Sequence, residues 1–296
     1  MQRLFNIIAE TSPPESEAVI SASAESFWDP ASIMLCTMGL CVGIIWLFWF
    51  DGFGALRKAP THRCRRWFVF WPLAILTCWI VVMGIIQILV TSVFGSRSQL
   101  FQEMISYPTH AALEVGLIVA MLVIAYKSFA RGLKGFGVNG KYLIKDTLWA
   151  AINLLGTFPL ILFGLWVTLM VGRLFKGAYF SLEVHQTLDI LTDAGVELRI
   201  LVIIFAALIV PIFEELLFRG FFQTSVRSVS SSSWVAIVFT SVFFAILHPP
   251  THFLPMFMLS CGLGYAYERS GSLFRPILMH IFFNGFSVAM TLLIPQ

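Results

Sequence analysis

Two adjacent glutamates, Glu214 and Glu215, and an arginine, Arg219, interrupt the otherwise apolar stretch from Pro211 to Gly220. On a helix, Glu215 and Arg219 are four residues and about 40° of azimuth apart, so they can pair and neutralise each other. Glu214 is turned about 100° from Glu215 and has no such partner within its turn. A carboxylate without a local counter-ion in a poor dielectric suits general acid–base work. Downstream, the run from Phe244 to His248 ends in an imidazole just before Pro249 and Pro250. His280 and Asn284, again four residues apart, share one helical face. A carboxylate, two imidazoles and a carboxamide can activate a water and hold a developing oxyanion, the two requirements of hydrolysis. Taken singly, each group has an ordinary structural role as an ion pair, an interfacial histidine or an interhelical hydrogen bond. Their concentration in consecutive C-terminal segments favours one shared buried site.

The elements that must position these groups are membrane helices. Of 296 residues, 58% are hydrophobic and 12% charged, and the mean hydropathy is +0.86, which asks for a bilayer as solvent. Apolar runs fall near residues 31–50, 67–94, 111–129, 148–174, 200–222, 234–247, 253–267 and 273–294. We therefore expect an all-α polytopic transmembrane bundle of about eight spans. Prolines 249, 250 and 255 suggest broken or tilted helices, tolerated where protein buries the freed backbone groups. Residues 1–30 read as an acidic tail, 31–145 as a three-span region with basic cytoplasmic loops, and 146–296 as the site-bearing core.

The formal charge of +3 is balanced and scattered, which argues against a nucleic-acid partner. Fourteen of the 19 basic residues fall in alternate connections, including Arg57, Lys58, Arg63, Arg131, Lys134, Arg227 and Arg275. The positive-inside rule then places both termini outside. The five cysteines (36, 41, 64, 78 and 261) form no C-x-x-C pair and argue against structural zinc or a disulfide framework. Residues 131–145 and 177–198 read as surface amphipathic helices or loops, and Ser228 to Ser233 as a hinge. Glu114 stands alone in the third run and reads as a packing or pore-lining residue. His62, His110, His185 and His252 fall in or near loops and read as solvated. The first 145 residues therefore contain little candidate chemistry.

The three groupings, Glu214-Glu215-Leu-Leu-Phe-Arg219, Phe244-Ala-Ile-Leu-His248 and His280-Ile-Phe-Phe-Asn284, resemble the motifs E-E-x-x-x-R, F-x-x-x-H and H-x-x-x-N. These mark the CAAX protease and bacteriocin-processing family of intramembrane proteases, also called ABI or Rce1-like. The resemblance covers roughly residues 148–294. It implies a C-terminal protease core with a polar cavity open to the cytoplasm, acting as a CAAX-type endopeptidase on a peptide or membrane-protein substrate, prenylated or not. Carried over, Glu214 would activate water, with His248 helping to orient or deprotonate it. His280 and Asn284 would stabilise the oxyanion, and Glu215 with Arg219 would hold the site in shape. The family is often labelled a metalloprotease, and Glu214, His248 and His280 could give zinc three ligands. The preferred mechanism requires no cofactor, because there is no H-E-x-x-H and a glutamate mechanism needs only the residues already assigned.

Two other functional classes remain open at this point. One is a non-catalytic membrane interaction or immunity-type protein that retains the motif for stability. The other is a transporter relaying protons through Glu214 and Glu114. Depth along the spans adds a geometric requirement. Glu214 falls about 18 Å, His280 about 10 Å and His248 about 21 Å from the cytoplasmic ends of their runs, so they meet only if the sixth run is tilted or broken. The expected location is an integral, multi-pass protein of a bacterial inner membrane, with the lipid bilayer as its standing partner.

Overall fold

A computed structural model describes residues 30–49, 52, 54, 56, 69–177, 180, 195–230 and 232–293. The acidic tail up to residue 29, the basic stretch 57–68 with His62 and Cys64, and His185 with most of 177–198 lie outside the described residues. The main elements are α1 (Pro30–Trp49), α2 (Trp71–Phe94), α3 (Gln99–Ser128), α4 (Leu133–Phe136) and α5 (Leu143–Lys176). They continue with α6 (Val196–Ser230), α7 (Ser233–Ile246), α8 (Phe253–Ser270) and α9 (Phe274–Leu293). No strand occurs among the described residues. Among the described residues, four helices are long and apolar enough to cross a membrane: Trp71–Phe94, Gln99–Ser128, Gly140–Lys176 and Val196–Ser230. The all-α membrane architecture is thus present. The 14 residues of α7 reach only about 21 Å, less than the roughly 30 Å hydrocarbon core of a bilayer.

Local chemistry explains where the helices start and stop. Ser98 accepts the Phe101 N–H at the start of α3, and Ser232 accepts the Val235 N–H at the start of α7, each relieving an orphan donor. Gly271, at φ +66°, ends α8 in the left-handed conformation that glycine adopts without a Cβ penalty. Between α7 and α8 the proline cluster breaks the helix into a short 3-10 turn, Pro250–His252.

The α6 helix carries the Glu-Glu-x-x-x-Arg segment, and it is irregular on both sides of the glutamates. A π stretch runs over Phe205–Ile209, an α stretch over Val210–Glu215, and a second π stretch over Leu216–Gln223. The first π stretch follows from Pro211. The Val210 N–H reaches back to Phe205 O, and the next residue, Pro211, has no N–H to offer Ala206 O. That orphan carbonyl accepts from Asn284 Nδ2 at 2.8 Å. In the second stretch, Arg219 O accepts from the hydroxyl of Thr224 at 3.2 Å. Wide turns of this kind are held where side chains satisfy the freed carbonyls.

Two apolar clusters flank α6. One joins Ile75 and Leu76 of α2 and Met121 and Ala125 of α3 to Phe213, Leu216 and Leu217 of α6. The other joins Ala150 and Ile161 of α5 to Leu259 and Leu263 of α8 and Met279 of α9. Small residues let the backbones approach. A Cβ on Gly262 would lie 2.4 Å from Thr157 Oγ1, and one on Gly164 would lie 3.0 Å from Pro255 N.

The 131–145 connection is neither the surface amphipathic helix nor the loop expected of it. It folds into α4, a 3-10 turn and the first turn of α5, and it buries Phe136 completely. The Phe136 ring packs against Phe129 and Phe221, at 5.2 and 5.4 Å between ring centroids. The spacing of charges hid this, because one buried aromatic among four basic residues leaves no periodic signal. Gly220 makes the contact possible, since a Cβ there would lie 2.3 Å from Phe136 Cζ. Gly220→Ala is therefore expected to destabilise the fold by about 1–3 kcal/mol, the cost of overpacking a filled core. Thermal unfolding in detergent checks this, with Gly116→Ala as control because a Cβ there meets nothing within 4 Å. A Gly220 variant that melts with the control would refute the contact.

Three connections that the charge count places on one side of the membrane do lie together. Leu273 N donates to Gly137 O at 3.0 Å, and Tyr267 donates to Phe136 O at 3.4 Å. Arg275 binds Asp146 Oδ1 through Nε at 3.2 Å and Nη2 at 3.0 Å. Arg227 Nε approaches Glu268 Oε2 at 3.5 Å.

Candidate active site

Glu215 and Arg219 form the centre of a buried polar group on α6. Arg219 Nη1 donates to Glu215 Oε1 at 2.8 Å, and both side chains are fully buried. The other end of the guanidinium, Nη2, donates to Ser260 Oγ at 2.7 Å and Ser260 O at 3.2 Å on α8. Its plane lies 4.9 Å from the centre of the Phe244 ring of α7, a cation–π contact. One side chain thereby ties α6 to α7 and α8.

His280 of α9 lies between the two glutamates. Its Nδ1 donates to Glu215 Oε1 at 2.9 Å, which sets the ring orientation and leaves Nε2 toward Glu214. Nε2 lies 3.8 Å from Glu214 Oε2, beyond hydrogen-bond length. The two glutamates therefore differ in surroundings. The Glu215 side chain is fully buried and held by Arg219 and His280. The Glu214 side chain is 16% exposed and has His280 as its ion-pair neighbour among the described residues.

His248 reaches the same region through Phe244. Its ring lies 4.6 Å from the Phe244 ring, and the His280 ring lies 6.0 Å from it on another side. His248 Nδ1 donates to Phe244 O at 2.9 Å, which leaves Nε2 for other partners. The spacing within Phe-Ala-Ile-Leu-His thus has a local consequence: the fourth residue on returns its side chain to the carbonyl of the first. Asn284 spends one amide N–H on Ala206 O, so a single N–H and its carbonyl oxygen remain for other partners. Glu214, Glu215, Arg219, His280 and the Phe244–His248 segment are brought together, and Asn284 stands one turn beyond His280.

Several neighbours carry no signal in the sequence. Ser260 and the Ala206 carbonyl complete the site, yet neither belongs to a polar cluster. Trp79 of α2 donates to Glu114 Oε1 of α3 at 3.3 Å, and Glu114 is buried between the helices. His110 is not a solvated loop histidine. It lies inside α3, half-buried, with a buried Nε2. A second buried group, Glu268 with Gln223 at 3.1 Å and Arg227, closes the far end of α6 against α8.

Zinc held by Glu214, His248 and His280 would require the three to converge. Among the described residues no three His, Cys, Asp or Glu side chains are placed to hold a metal ion. The two nitrogens of His280 face Glu215 and Glu214, and His248 turns Nδ1 to its own helix.

Residues 196–286 match the family model described as type II CAAX prenyl endopeptidase Rce1-like. The match begins at the first residue of α6 and ends within α9, and it contains every motif residue named above. No curated protein and no solved structure matches the chain.

Proposed function

We propose that this membrane protein, whose residues 196–286 match the family model of Rce1-like type II CAAX prenyl endopeptidases, hydrolyses a peptide bond with a glutamate-activated water. The observation that carries the reading is the asymmetry of the glutamate pair, with Glu215 locked by Arg219 and Glu214 partly exposed beside His280. Glu214 takes a proton from water as its oxygen attacks the scissile carbonyl, and passes that proton to the amine as the C–N bond breaks. His248 Nε2 accepts from the same water and orients it. His280, whose Nε2 donates when the ring carries both protons, and the remaining N–H of Asn284 stabilise the developing oxyanion. Glu215 and Arg219 hold His280 and α6 in register.

In this reading the chain has an N-terminal tail (1–30), a three-span region (31–145) and a protease core (146–296). The cavity opens to the cytoplasm, both termini face outside, and the host is a bacterial inner membrane. Substrate enters as a peptide or membrane protein whose C-terminal Cys-aliphatic-aliphatic-X sequence carries a prenyl group.

The test uses the purified chain in detergent and two fluorogenic peptides with that C-terminal sequence, one farnesylated and one not. Cleavage of the farnesylated peptide with a new terminus after the cysteine supports the reading, and cleavage of neither overturns it. No metal takes part, so activity is expected to survive dialysis against EDTA and o-phenanthroline with less than about a twofold change. Loss of activity restored by zinc would overturn the metal-free mechanism.

A further inference from the structure

The connection between α3 and α5 carries positive charge that neither the candidate site nor the core uses. Lys127, Arg131, Lys134, Lys141 and Lys145 are all exposed, and no acidic residue occurs between Glu114 and Asp146. Asp146, the nearest acid in sequence, is buried and engaged elsewhere. It accepts from Arg275 at 3.0 and 3.2 Å and from Ser272 Oγ at 2.6 Å. None of the five cations forms an ion pair among the described residues. Lys141 Nζ lies 5.5 Å from the centre of the Tyr142 ring, and Arg269, exposed near the end of α8, adds charge of the same sign.

Apolar side chains stand exposed between these cations. Ile144 is 81% and Leu148 62% exposed, and they lie one turn apart on α5 beside Lys145. Tyr126 and Tyr142 are exposed as well. Basic residues interleaved with aromatic and large aliphatic ones suit the level of the lipid headgroups. The helix lengths agree. With 30 residues in α3 and 34 in α5, the two helices are about 45 and 51 Å long, so each outruns a hydrocarbon core of about 30 Å and takes its last turns into the headgroup layer.

The segment is also held in one shape. Phe136 is fully buried between Phe129 and Phe221, Gly137 O accepts from Leu273 N at 3.0 Å, and Asn139 accepts the Lys141 N–H at 3.3 Å. Gly132, at φ +54°, lies under the Tyr126 ring, where a Cβ would come within 2.9 Å of Cδ2. The cations are mounted on a packed base, so little ordering entropy opposes binding.

We propose that residues 126–148 form a platform for the headgroups of anionic phospholipids in the leaflet that they face. Lys127, Arg131, Lys134, Lys141 and Lys145 meet the phosphates, while Tyr126, Tyr142, Ile144 and Leu148 sit at the top of the acyl chains. Charge complementarity selects the lipid: a zwitterionic headgroup brings its own cation to the patch, and an anionic one does not. The platform is independent of the proteolytic reading.

Native mass spectrometry of the purified full chain, titrated in detergent with phosphatidylglycerol or phosphatidylcholine, tests this. Phosphatidylglycerol is expected to bind at least about tenfold more tightly, with the preference shrinking as salt is raised. Replacing Lys127, Arg131, Lys134, Lys141 and Lys145 together by glutamine is expected to cut the preference below about threefold. Arg97→Gln with Lys176→Gln, at the opposite ends of α3 and α5, is expected to leave it unchanged. Equal binding of the two lipids by the parent, or a fivefold variant that keeps the parent preference, overturns the platform. If that variant does not elute as folded protein, Lys141→Gln with Lys145→Gln decides: a reduced preference supports the platform, and an unchanged one overturns it. Displacement of phosphatidylglycerol by an equal concentration of polyglutamate peptide would overturn it in favour of an acidic protein partner.

Discussion

Glu214→Ala is expected to abolish peptide cleavage and leave the fold intact. The expected loss in kcat is at least about a hundredfold, the lower bound for removing a positioned general base. The fold survives because Glu214 is the glutamate that little depends on. Among the described residues its ion-pair neighbour is His280, with Nε2 at 3.8 Å, and its side chain is 16% exposed. Truncation therefore leaves no buried cation unpaired. Cleavage rates with the farnesylated peptide and a thermal unfolding curve in the same detergent check both halves. Retained cleavage would remove Glu214 from the mechanism. A variant that is inactive in the test tube yet fulfils the cellular role of the parent would instead support a non-catalytic membrane partner.

Arg219→Ala has the opposite signature and unfolds the protein. Arg219 is the largest of the fully buried side chains, and it supplies hydrogen bonds to Glu215 and Ser260 and a cation over Phe244. Its removal leaves the Glu215 carboxylate buried beside a single histidine. Breaking a buried pair from one side costs about 3–5 kcal/mol, because the remaining charge is uncompensated. Replacing both partners, Glu215→Gln with Arg219→Met, is expected to cost less than Arg219→Ala alone, since no buried charge is stranded. Arg219→Lys is expected to fall between them, because an ammonium cannot serve Glu215 and Ser260 with one planar fork. Size-exclusion profiles across a temperature series measure all three. A double variant less stable than the single one would show that the pair is not the reason for the loss.

These two residues show how far a linear pattern reaches. The distinction between Glu214 and Glu215 follows from helix geometry alone, because 3.6 residues per turn puts Glu215 under Arg219 and turns Glu214 away. The structure contains that pair at 2.8 Å. The wide second π stretch begins one residue after Glu215 without breaking it. What the pattern could not supply is the remainder of the Arg219 environment. Ser260 is an isolated serine in an apolar helix, and only the close packing of α6 on α8 makes it a partner. The length of the helices was likewise not legible. Hydropathy marks where apolar residues run, but α7 stops after 14 residues at the prolines, and α6 continues through polar residues to Ser230.

Sequence alone determined the quantities that depend on residue type and short spacing. These are a membrane-embedded helical chain, a glutamate pair with one member satisfied by arginine, and histidines and an asparagine at helical intervals. Tertiary structure alone decided which elements meet. Pro211 frees the Ala206 carbonyl that occupies Asn284, Phe244 stands between two imidazoles and under a guanidinium, and Trp79 of α2 meets Glu114 of α3. The physical reason is one of range. Propensity, charge pairing and missing N–H groups act within one or two turns and can be read in order along the chain. The contacts between α3, α6, α7, α8 and α9 arise from side-chain shape between residues far apart in the sequence, and no local pattern records them.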